Sequence, residues 1–168
     1  MKKNKKAALS TAALCLATAM CIGCTEDAFS GGAEESAAHG TTLAVQFLKV
    51  GKADAIVLLC GGEAVVIDAG EIGDGGKVLN ALSEAGIRSV KALILTHFDK
   101  DHIGGAAELL AEVAVERVFC PDYEEDSDEM QALQDALQRT AVPVEVLTEE
   151  SSFSCGAAWL TLLPPGNG

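Results

Sequence analysis

The feature that most limits how this chain can fold is a join. Residues 91 to 96, KALILT, form a run without a turn former, and the segment THFDKDHIGG (96 to 105) follows from its last residue. A continuous apolar run of this kind predicts a strand buried on both faces, as in a sheet covered by helices. A chain leaving such a strand in extended form projects His97 and Asp99 to one side. Asp101 and His102 then fall where the next helix begins. Four side chains able to bind metal converge at the carboxyl end of a buried strand, where open α/β sheets place their ligands. Gly104 and Gly105 carry no side chain, which lets the helix start lie close to whatever occupies that cleft.

Simpler readings explain only part of the pattern. One aspartate before a helix is an ordinary cap, and one histidine after a strand is ordinarily a hydrogen-bonded structural residue. A cap needs a single Asp and accounts for neither histidine. Imidazole and carboxylate together suit a divalent zinc, manganese or iron ion. The natural division puts His97 and Asp99 on one ion and Asp101 and His102 on a second. Two such ions, about 3.5 to 4 Å apart, generate hydroxide at neutral pH and clamp the oxygens of a hydrolysed ester.

The surrounding sequence supplies the sheet. LAVQFLK (43 to 49), AIVLLC (55 to 60) and AVVIDA (64 to 69) are three strand candidates separated by Gly-containing turns. KVLNALSEAG (77 to 86) sets Val78, Leu79 and Leu82 at helical spacing and stops on Gly86. After the join, IGGAAELLAEV predicts a helix, VERVFC a strand, SDEMQALQDALQRT a helix with acidic residues at its start, VPVEVL a strand, and AAWLTLLP (157 to 164) a last strand. The acidic run DYEEDSDE (122 to 129) reads as a solvated loop and helix start. Adjacent strands followed by alternation of strand and helix predict one α/β domain over residues 42 to 168.

Ahead of that domain the chain reads as an address. MKKNKK is a positive start and AALSTAALCLATAMCIG an uncharged run of small and apolar residues, the form of a secretory signal. It ends in Ile22-Gly23-Cys24 and resembles a bacterial lipoprotein signal over residues 1 to 23, which implies cleavage before Cys24 and lipidation of that cysteine. Cys21 stands where that motif usually has Leu. An uncleaved membrane helix is the other reading, at the short limit of the roughly 17 to 25 residues a span needs. Both put the rest of the chain outside the cytoplasm. Residues 24 to 41, rich in Gly, Ser, Ala and Glu, predict a flexible tether, with His39 a solvated side chain within it.

Charge and cysteine content exclude two classes of function. Four of the 12 basic residues lie in residues 2 to 6, leaving 8 against 25 acids, a balance of -17 for the remainder. Such a surface has no basic patch for nucleic acid and repels polyanions unless metal ions offset it. Beyond the address only Cys60, Cys120 and Cys155 remain, each beside apolar residues and without CxxC spacing. That predicts buried, inert thiols rather than a disulfide framework or a thiolate zinc site.

THFDKDHIGG resembles the HxHxDH signature of metallo-β-lactamase-fold hydrolases. With Asp in the second His position it is similar to the extracellular hydrolase domain of ComEC-type DNA-uptake (competence) proteins. FLKVGKADAIVL (47 to 58) matches that family's opening "FxDVGQGDAIL", VVIDAG (65 to 70) matches its Asp-x-Gly turn, and the likeness runs on to WLTLLPP. It implies an αββα sandwich in which His97, Asp99, Asp101 and His102 bind two divalent ions, Zn2+ or Mn2+. It further implies that Asp101 orients the attacking water and that Asp68 buttresses the metal loop through hydrogen bonds. From the residues alone, Asp68 is equally a plain turn aspartate. Lys49 and Lys52 stand where the family often has Asp and Gln. The family takes further ligands from its second half, and no histidine follows His102 here. Two side chains per ion is below the three typical of a catalytic zinc site. The expectation is therefore a domain holding the first half to two-thirds of the fold.

These readings predict a membrane-tethered, extracytoplasmic metal-dependent hydrolase acting on phosphodiesters in nuclease-like fashion. Asp99 favours oxygen-rich coordination over true β-lactamase activity. Because the surface is acidic, a small phosphoester or a cell-envelope phosphodiester stays open as the substrate. The alternative is a noncatalytic surface binding module, or an inactive gene fragment, that keeps the fold.

Overall fold

A computed structural model describes residues 42–164. The address segment, Cys24 and the tether to residue 41 lie outside the described residues. Three strands open the domain: β1 (Leu43–Phe47), β2 (Ile56–Cys60) and β3 (Glu63–Ile67), paired antiparallel. The β2–β3 turn is Gly61-Gly62, with φ of 59° and 82°. Two successive positive φ values are what a two-residue hairpin turn requires, and glycine adopts them without a Cβ clash.

Parallel strands and helices then alternate. Helix α1 (Gly75–Glu84) leads through β4 (Ser89–Val90) to β5 (Ala92–Ile94), which lies parallel to β3. Helices α2 (Lys100–Ile103) and α3 (Ala106–Glu112) follow, then β6 (Ala114–Val115) and β7 (Val118–Cys120). Helix α4 (Asp128–Thr140) leads to β8 (Val144–Val146), and β9 (Ser151–Cys155) with β10 (Ala158–Leu162) closes the described chain as a hairpin. The main sheet has the order β1-β2-β3-β5-β7-β8, and β4 pairs with β6 apart from it.

Alternation along the strands divides the core between two faces. Val57, Val66, Leu93 and Val118 pack against Val78, Leu82, Leu109 and Leu133 of the helices. Their neighbours Leu58, Val65, Ala92, Ile94 and Phe119 meet Phe153, Cys155 and Leu160 of the β9–β10 hairpin. Phe119 and Phe153 stack with ring centroids 5.5 Å apart. Burial on both sides explains why β5 and β7 read as unbroken apolar runs. The α/β fold expected from the sequence is present: among the described residues one helical layer, the main sheet and a second β layer are formed.

Four details differ from the sequence-based expectation. The strand in KALILT ends at Ile94, because the Thr96 amide is taken by Asp68 rather than by a neighbouring strand. The helix predicted from IGGAAELLAEV is two helices broken at Gly104-Gly105, and the first begins at Lys100. VERVFC divides into β6 and β7, each pairing with a different strand. SSFSC, polar at alternate positions, forms β9 because its apolar face covers the sheet.

Helix ends follow side-chain chemistry. Ser127 caps α4 by accepting a hydrogen bond from the Met130 amide at 3.2 Å. Ala141 closes the same helix in the left-handed conformation, φ 51°. Among the described residues no helix is long and apolar enough to cross a membrane.

Candidate metal centre

The strand directions bring four segments to one edge of the sheet. Strands β3, β5 and β7 are parallel and end there, and β2, antiparallel to β3, begins there. The β1–β2 loop (48–55), the loop after β3 (68–74), the loop after β5 (95–99) and the loop after β7 therefore meet. Backbone hydrogen bonds join the first two of them to each other and to α2: Asp54 N–H donates to Asp101 O, Gly70 N–H to Asp54 O, and Ala69 N–H to His102 O, at 3.1, 2.9 and 2.8 Å.

At the centre stands Asp68, buried and held at φ 55°. A non-glycine residue in the left-handed region persists only where its surroundings over-determine it. Here the carboxylate makes three hydrogen bonds. It accepts from the Thr96 amide at 2.9 Å, from the Thr96 hydroxyl at 2.6 Å, and pairs with His102 Nδ1 at 2.8 Å.

These bonds set the tautomer of both histidines. His102 donates Nδ1–H to Asp68, which leaves Nε2 with a free lone pair. Thr96 spends its only hydroxyl proton on Asp68, so its oxygen accepts from His97 Nδ1–H at 3.0 Å, and the Nε2 of His97 is free as well. One carboxylate thus orients two imidazoles, directly and through a hydroxyl. A carboxylate behind a histidine in this way is the usual support for a metal-binding imidazole.

Each free Nε2 faces a carboxylate oxygen. His97 Nε2 lies 3.6 Å from Asp99 Oδ2, and His102 Nε2 lies 3.7 Å from Asp54 Oδ2. The rings themselves are close, with centroids 3.6 Å apart. Both N–O spacings are long for hydrogen bonds. Two donors bound to one ion at about 2.1 Å each, at a tetrahedral angle, lie about 3.4 Å apart. The donor pairs therefore have the chemistry and spacing of ligand edges, and the residues fit a divalent metal. Among the described residues no three such side chains surround a common point closely enough to hold an ion alone.

The structure brings His97, Asp99, His102 and Asp68 together. Asp101, expected beside His102 on a second ion, lies next to it on α2. Successive residues on a helix point about 100° apart, and among the described residues no ion pair links the Asp101 and His102 side chains. The Asp101 carbonyl instead anchors Asp54. The glycine pair also has a different neighbour: a Cβ on Gly104 would come within 2.5 Å of Ile72 N, and one on Gly105 would strike the Ala69 carbonyl oxygen. They admit the 69–75 backbone rather than a ligand.

Three residues without a role assigned from sequence complete the cluster. Asp54 was legible only as a match within the opening segment 47–58, Thr96 only as the end of an apolar run. Tyr123 sat in an acidic stretch read as solvated. Its hydroxyl accepts from the Phe98 amide at 2.5 Å and its ring packs on Phe98 with centroids 4.9 Å apart. That contact fixes the loop between the two histidines from outside. A cavity of about 510 Å³ opens beside His97, lined by Thr96, Asp122, Tyr123 and Thr148 among others.

The sequence model described as "Metallo-beta-lactamase superfamily" matches residues 48–154. No curated protein matches the chain significantly. Among solved structures, a metallo-beta-lactamase from Pontibacter korlensis is similar with 18% identity and a TM-score of 0.48, covering 75% of this chain and 57% of that one. One from Hirschia baltica has 22% identity and a TM-score of 0.43, covering 75% and 57%. A metallo-beta-lactamase family protein from Thermus thermophilus has 20% identity and a TM-score of 0.47, covering 72% and 50%. The chain spans about half the length of the solved structures it matches.

Proposed function

The chain belongs to the metallo-beta-lactamase superfamily, whose members generally are hydrolases that bind divalent metals, and from that premise we propose a metal-dependent hydrolase of phosphodiesters. The observation that carries the proposal is the double orientation by Asp68. A buried carboxylate that turns the Nε2 of both His97 and His102 outward, each toward an aspartate oxygen, has a use in metal binding. His97, Asp99, His102 and Asp101 are the residues we propose to hold the metal, Zn2+ or Mn2+. A pair of divalent ions supplies Lewis acidity toward a phosphoryl oxygen and toward water.

The remaining roles belong to the chain itself. Asp68 and Thr96 keep both imidazoles in the tautomer that presents Nε2. Asp101, half-buried on α2, is the carboxylate proposed to orient the attacking water. Lys49 and Lys52 are exposed on the β1–β2 loop, among the few basic side chains of an acidic protein and without an ion-pair partner among the described residues. Cations on a loop that borders the cluster favour an anionic substrate. The ComEC-like likeness of the opening segment and of Asp99 points the same way, toward a phosphodiester. The leader ending at Cys24 supports a site that faces outward from a lipid-anchored, extracytoplasmic protein.

Metal analysis together with turnover of bis-p-nitrophenyl phosphate tests the reading on the full-length protein. Metal-dependent turnover that chelation abolishes and Zn2+ or Mn2+ restores is the expected result. A folded protein that binds no divalent ion and turns over nothing is instead a binding module.

A further inference from the structure

We propose that Asp54 is a metal-binding residue, the oxygen donor that partners His102. The inference rests on the reading that the cluster holds divalent ions and assigns one half of it a ligand from outside the THFDKDHIGG signature. Asp54 comes from the β1–β2 loop, far upstream of the histidines in sequence. The fold nevertheless ties it to them twice through its backbone: its amide donates to Asp101 O at 3.1 Å and its carbonyl accepts from Gly70 N–H at 2.9 Å. Both partners flank the Asp68–His102 pair, so the Asp54 Cα is fixed relative to His102.

The side chain is placed for the role. Its Oδ2 lies 3.7 Å from His102 Nε2, nearly the spacing of Asp99 from His97 Nε2, 3.6 Å. The two halves of the cluster are thereby built alike, one imidazole nitrogen and one carboxylate oxygen each, with the opposite ring nitrogen engaged behind. No lysine or arginine among the described residues pairs with Asp54. Its carboxylate is also largely exposed, 66%, so it can turn toward an ion without breaking a contact. A structural carboxylate would be expected to bond a backbone amide or a cation, and among the described residues the Asp54 side chain does neither. His102 meanwhile needs no second carboxylate for its own placement, since Asp68 already fixes the ring.

Cobalt titration of the metal-free full-length protein distinguishes the possibilities, with calorimetry for affinity and the visible Co2+ spectrum for coordination. Asp54→Asn should weaken binding by roughly 10-fold or more, as loss of a donor does, and should change the spectrum. Its thermal unfolding without metal should match the parent, because the carboxylate is exposed. Glu71→Gln, which removes a similar charge from the adjoining loop, should change affinity less than about twofold, since separated surface charges are screened. If Asp54→Asn binds Co2+ like the parent while His102→Ala does not, the role of Asp54 is overturned and the metal reading stands. Equal weakening by Asp54→Asn and Glu71→Gln reduces Asp54 to general charge and overturns the assignment too. A parent protein that binds no Co2+ overturns both.

Discussion

The two histidines share one anchoring carboxylate but live in different surroundings. His102 sits on a helix turn, its side chain 10% exposed, and hydrogen-bonds to Asp68 directly. His97 sits on a loop, 38% exposed, and reaches Asp68 only through the Thr96 hydroxyl. One half of the cluster is part of the core; the other is hung from it. The lesson is that preorganisation is graded across the site, with a fixed nitrogen at the sheet and an adaptable one beside the open cavity.

Breaking the shared anchor should erase the difference. Asp68→Ala removes the acceptor for the Thr96 amide, the Thr96 hydroxyl and His102, leaving the buried His102 N–H unpaired, which costs about 1–3 kcal/mol. Urea unfolding should register that loss, and metal affinity should fall at both halves. Intact affinity at either half would show that Asp68 does not organise both.

Gly105→Ala tests the fixed half through its backbone. The added Cβ meets the Ala69 carbonyl oxygen and lies 2.6 Å from Gly75 N, and forcing this contact apart should destabilise by about 1–3 kcal/mol. The thermal midpoint should drop by several degrees, since about 1 kcal/mol corresponds to roughly 4–8 °C in a domain this small. An unchanged midpoint would mean that the 69–75 loop yields freely.

Thr96→Val acts mainly on the suspended half. It keeps the shape but deletes the relay to His97, so metal affinity there should weaken about 10-fold, while the His102 nitrogen resonances should move less than those of His97, because its bond to Asp68 Oδ2 remains. A loss spread equally over both histidines would refute the relay. Tyr123→Phe should have the smallest effect, about 1 kcal/mol for the lost hydroxyl acceptor, seen as faster amide exchange at Phe98 with little change at His102.

Local pattern carried much of the fold. The strand candidates 43–49, 55–60 and 64–69, the α1 stop at Gly86 and the α4 start at Ser127 are all found within a few residues of expectation, because each depends on neighbours in sequence. SSFSC was missed for the opposite reason: its strand forms only because Phe153 and Cys155 have the sheet to cover. The break at Gly104-Gly105 depends likewise on a distant loop pressing against the helix.

The cluster divides along the same line. Spacing alone named His97, Asp99, Asp101 and His102 as a group, since strand and helix periods fix how close neighbours project. Which oxygen faces which nitrogen was settled by the strand order, which sets the β1–β2 loop against the turn after β5 and gives His102 the carboxylate of Asp54. The sequence by itself determined the candidate donors His97, Asp99, Asp101 and His102 and the alternation of strand and helix. Tertiary structure alone decided the pairing and the tautomers, because hydrogen-bond partners remote along the chain become neighbours only when the sheet assembles.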